Sequence, residues 1–128
     1  MDARATVAEY YDALRAGEPL APFFATERTD DDAYVKFGVS ERLVGSDRIR
    51  AGLRSQTATT TDWDVTSRGL NVVQRDRHAW FSDAVSMAWT DAERGRRHEL
   101  DTRWSGTLVR SDGRWRFVGM HVSTADDL

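Results

Sequence analysis

The side chains here with the means to do chemistry are His121, Asp83, Arg103, Ser105 and Tyr10. His121 and Ser123 stand two apart in a stretch that reads as a strand, so both fall on one face. An imidazole with its ordinary pKa of about 6.5 suits a general base; a hydrogen-bonded structural histidine is the plain alternative. Asp83 lies among Phe81, Val85 and Met87, an unusual place for a carboxylate. It is the second candidate base and the most conspicuous partner for a buried cation. Arg103 shares its strand parity with Asp101, Ser105 and Thr107. Turned inward, its guanidinium needs a carboxylate or an anionic ligand, because an unpaired buried charge is costly. Two readings follow: Arg103 grips an acidic or carbonyl-bearing ligand, or it forms a structural pair with Asp83.

Elements that position these groups can be read from periodicity. Ala3, Val7, Tyr10 and Leu14 recur at helical spacing, which puts Tyr10 on the inward stripe of a first helix ended by Gly17. Glu18-Pro19 opens an expected second, short helix through about Ala25. Residues 33–38 read as a short strand, and Ser46 as the N-cap of a third helix with Ile49 and Leu53 on its buried face. Beyond Asp62 the chain becomes rich in aromatic and β-branched residues over 63–74, 78–90, 97–110 and 114–123. Turn-like connections, above all Ser111-Asp112-Gly113, join these runs into an antiparallel meander. The expected fold class is α+β, with three N-terminal helices packed on a curved, mainly antiparallel sheet, and residues 1–128 forming one domain. Both alternation classes of 78–90 contain apolar residues, so both sheet faces are expected to be covered: one by helices, the other by a second copy in a homodimer.

Composition narrows the functional classes. There are no cysteines, so disulfides, thiolate metal sites and a cysteine nucleophile are excluded. The three histidines lack HxH or HxxxH spacing, and no metal site is expected. Gly-rich phosphate loops and serine-nucleophile elbows are absent too, so no cofactor is expected. A net charge of −3 argues against general nucleic-acid affinity. No apolar run is long enough for a membrane span, and the N-terminus lacks the apolar stretch of a signal peptide. A cytoplasmic protein is the expectation. Lys36 is the only lysine.

The order helix, helix, strand, helix, meander resembles the nuclear-transport-factor-2-like superfamily, a cone-shaped α+β barrel. Residues 7–17 (VAEYYDALRAG) look like its first helix, and 37–45 (FGVSERLVG) like its first strand and third-helix entry. Arg103-Trp-Ser105, Asp112-Gly-Arg-Trp115 and His121-Val-Ser123 resemble the SnoaL-like, polyketide cyclase-like branch. By that resemblance Tyr10 matches the oxyanion donor of ketosteroid isomerases, the scaffold's best-understood chemistry. Phe37 then stands where a general-base aspartate is required, and Ser105 where a protonated acid completes the oxyanion hole. Steroid isomerisation is therefore not expected. The resemblance also implies an Arg103 that points into the cone, and it places Trp63 and Trp80 nearest the pocket.

Together these readings give a homodimer with an aromatic-lined cavity for a small apolar or acidic ligand. Tyr10, Trp63, Trp80, Arg103 and Ser105 are its expected binding residues, and His121 or Asp83 its base if it is an isomerase-, cyclase- or hydrolase-like enzyme. The alternative is a non-catalytic binding or oligomerisation module.

Overall fold

The structure, a computed structural model, describes residues 2–25 and 34–127. Helix α1 (Ala3–Ala16) starts at Asp2, whose carboxylate accepts the Ala5 N–H at 2.8 Å. It stops at Gly17, in the left-handed region at φ 70°, with the Glu18 N–H returning to the Ala13 carbonyl. The apolar stripe works as its spacing predicts: Ala3, Val7, Tyr10 and Leu14 are all buried.

The expected second helix reduces to one 3₁₀ turn, Ala21–Phe23. Pro19 and Pro22 together remove two N–H donors from a span of four residues, which leaves too few bonds for an α-helix. The described residues therefore hold two α-helices rather than three. The other is α2 (Ser46–Thr59), whose N-cap is Gly45 at φ 95° and not Ser46. Ile49 and Leu53 are its buried contacts.

Seven strands form one mixed sheet: β1 (Val35–Phe37), β2 (Arg42–Val44), β3 (Thr60–Ser67), β4 (Asn71–Gln74), β5 (His78–Asp91), β6 (Arg96–Ser111) and β7 (Arg114–Thr124). Their order is β2-β1-β7-β6-β5-β3, with β4 beside β3 on the same edge of β5. The sheet stays open and does not close into a barrel. The run 63–74 is two strands instead of one, because the chain leaves the ladder at Arg68-Gly69-Leu70. The strand β1 pairs parallel with β7, bringing the N-terminal half against the C-terminal half. Asp112 and Gly113, with φ 53° and 73°, make the β6–β7 turn, matching a two-residue hairpin of the primed type.

Two β-bulges decide which side chains meet the helices. Between Thr107 and Leu108 on β6 the register slips, so Val118 is an extra residue on β7. Phe117 is buried before it, and Met120 and Val122 after it. The second bulge lies between Thr61 and Asp64, with Asp62 at φ 53°. Trp63 lies within it, on the strand that packs against α1. Phe81, Asp83, Val85 and Met87 of β5 and Leu100, Thr102, Trp104 and Leu108 of β6 complete the face that α1 covers.

Candidate functional site

The helix-covered face of the sheet carries a half-open cavity of about 130 Å³. Trp63, Trp89 and Trp104 wall it together with Met87, Met120 and Val122. Trp63 stacks on Trp89 with centroids 5.0 Å apart, and Trp104 meets Tyr10 edge-on at 6.1 Å. Two indole N–H groups are already committed. Trp63 donates to Thr60 Oγ1 at 2.8 Å, and Trp104 to Thr102 Oγ1 at 2.9 Å. These walls offer a ligand flat apolar surface rather than donors.

Polar function comes from a different set of residues. Lys36 on β1 is 4% exposed, and its ammonium donates to Glu41, across the β1–β2 hairpin. Gly38 makes that closure possible: a Cβ there would come within 2.6 Å of Glu41 Cγ. The Gly38 N–H donates to the Glu41 carbonyl at 3.1 Å and pins the loop. Tyr10 is 2% exposed, lines the same cavity, and its hydroxyl has no hydrogen-bond partner among the described residues. Burial raises the Tyr10 pKa well above its ordinary value, and the Glu41 carboxylate raises it further. The phenol is thus held neutral, as a donor. Gln56 of α2 completes the rim.

The sequence-derived site residues divide between the two faces of the sheet. Tyr10 and Trp63 line the cavity. Asp83 is inward and buried, but it is engaged: Tyr11 Oη donates to it at 2.9 Å and the Gly69 N–H at 3.0 Å. Burial and this carboxylate raise the Tyr11 pKa. Arg103, Ser105, His121 and Trp80 all lie exposed on the opposite, outer face. Arg103 therefore does not point into the cavity, and no Arg103–Asp83 pair forms, because the two side chains leave the sheet in opposite directions. The Val118 bulge turns His121 outward, where its ring meets Phe37 at 6.0 Å. Phe37 is likewise outward, and Lys36 is the residue that β1 projects inward. Among the described residues no group of three or more His, Asp or Glu side chains is placed to hold a metal ion.

Sequence reasoning passed over Lys36 and Glu41. One signal was present: the chain's only lysine lies in a strand otherwise made of Val35 and Phe37.

The comparisons agree with this architecture. The SnoaL-like domain family matches residues 3–127, and the chain belongs to that family. None of the curated proteins matches the chain. Among solved structures, a protein of the NTF2-like family from Streptomyces avermitilis, provisionally named a dehydratase, superposes with a TM-score of 0.82 at 13% identity, covering 97% of this chain and 94% of that one. A ketosteroid isomerase-like protein from Erwinia carotovora atroseptica gives 0.75 at 17% identity, covering 97% and 94%. An NTF2-like protein of unknown function from Pseudomonas putida gives 0.77 at 17%, covering 98% and 85%. At these identities the likeness is one of fold. No helix among the described residues is long and apolar enough to cross a membrane.

Proposed function

We propose that this chain is a small-molecule-binding protein whose ligand occupies the cavity between α1, the β1–β2 hairpin and strands β3, β5, β6 and β7. The observation that carries this reading is the buried Tyr10 hydroxyl, without a hydrogen-bond partner among the described residues, at an aromatic-walled cavity that also holds an ion pair. A buried polar group without a partner costs roughly 1–3 kcal/mol, and a ligand acceptor recovers it. The three tryptophans supply the apolar contact that such sites use. Any proton transfer at this site falls to Glu41, Lys36 and Tyr10, the ionisable groups that line it among the described residues.

A half-open cavity of about 130 Å³ is close to the ~150 Å³ that encloses benzene, which sets the scale of the ligand at one ring. A panel of single-ring compounds is expected to contain members that raise the melting temperature. Saturation at a hundredfold excess over Kd stabilises by about 2.7 kcal/mol. Val39→Trp, which fills the cavity mouth, should abolish the shift. A panel without stabilisers, or one whose effect survives Val39→Trp, would sink the reading.

The outer sheet face supports the homodimer. Ser82, Ala84, Arg103, Ser105 and His121 line a shallow exposed depression beside Trp80, a tryptophan left 43% exposed. A large exposed aromatic beside a shallow depression suits a self-complementary partner. Sedimentation at micromolar concentration should give a dimer, with Trp80→Glu shifting it to monomer; a monomeric parent protein contradicts the assignment.

A further inference from the structure

We infer that the cavity is selective for a single-ring acid whose carboxylate takes the place of Glu41 on the Lys36 ammonium. This rests on the ligand-cavity reading and adds to it the chemical class of the ligand. Lys36 is the sole buried cation lining the cavity among the described residues, and its charge is met by a side chain from a surface hairpin. The two partners differ in anchorage. Lys36 is fixed in β1, between β2 and β7, with its side chain 6% exposed. The Glu41 side chain is 33% exposed and sits at the end of the hairpin loop, beside water.

Glu41 thus presents to Lys36 the group that an acidic ligand would bring. Exchange of one carboxylate for another keeps the buried ammonium paired throughout, so no uncompensated charge is created. The incoming carboxylate also meets a donor that Glu41 leaves unused, because the neutral Tyr10 hydroxyl lines the same cavity and makes no bond among the described residues. The ring then lies against Trp63 and Trp104, whose N–H groups are occupied elsewhere. A neutral amide of the same shape gains the ring contacts and cannot compete for the ammonium. Glu41 acts as an internal competitor that sets the affinity threshold.

Benzoate and benzamide titrated into the full chain, followed by tryptophan fluorescence and calorimetry, separate the possibilities. Benzoate is expected to bind at least tenfold more tightly than benzamide. Glu41→Gln should tighten benzoate severalfold, and Lys36→Met should erase the preference of benzoate over benzamide. Lys36→Gln serves as a second variant if the methionine protein fails to fold by circular dichroism. Equal binding of the two probes by the parent protein, or a preference that survives loss of the Lys36 charge, overturns the acid selectivity but leaves the ligand cavity standing. Binding of neither probe overturns this inference; a panel of single-ring compounds that also stabilises nothing overturns the cavity reading with it.

Discussion

Trp104→Ala is expected to destabilise the fold by about 3–5 kcal/mol, the range for truncating a buried large aromatic. Trp104 is 5% exposed and lies where α1 meets the middle of the sheet. Its ring takes edge contacts from Tyr10 at 6.1 Å and Tyr11 at 5.3 Å. Its N–H closes a chain through Thr102 Oγ1 to the Val85 carbonyl, 2.9 and 2.7 Å in turn. Truncation leaves a void on the helix side and frees the Thr102 hydroxyl from one partner. Urea denaturation measures the loss. Trp104→Phe keeps most of the packing and should cost much less. Equal costs for the two variants would place the energy in the N–H bond instead of the ring.

The second large effect is an asymmetry within the Lys36–Glu41 pair. Glu41→Ala strands a buried ammonium and should cost about 2–3 kcal/mol, below the ~3–5 kcal/mol seen for fully buried pairs because Glu41 is a third exposed. Lys36→Met removes the charge and leaves an apolar chain of similar length among Met120, Val122 and Trp104. It should cost little, since the Glu41 carboxylate left behind is a third exposed and can be solvated by water, unlike the ammonium that Glu41→Ala strands. The double variant should resemble Lys36→Met alone, because the cost of Glu41→Ala exists only while the ammonium is there. A large loss in Lys36→Met would mean that the pair is a structural clamp.

Much of this fold is visible in residue patterning, and the exceptions have local causes. The α1 stripe and the β5 alternation of Phe81, Asp83, Val85 and Met87 are regular, so periodicity places them correctly. On β6 the apolar class is Leu100, Trp104 and Leu108, and that class is the buried one. Arg103 belongs to the other class; its inward placement came from family resemblance, against the alternation of its own strand. His121 is a different case. Counting in twos from Trp115 and Phe117 puts it inward, and only the Val118 bulge reverses that. A bulge depends on tertiary pairing with β6 and leaves little trace in sequence. Lys36 escaped because a three-residue strand is too short for alternation to fix its faces, and Glu41 because a loop residue has no periodicity at all.

The five indole N–H signals in a nitrogen–proton correlation spectrum test the central claim most directly. Trp63, Trp89 and Trp104 line the cavity, whereas Trp80 is on the outer face and Trp115 is away from the cavity. Saturating benzoate, or benzamide at higher concentration, is expected to shift the first three and leave Trp80 and Trp115 in place. Shifts centred on Trp80, or no shift at any indole with either probe, would contradict a ligand site on the helix-covered face.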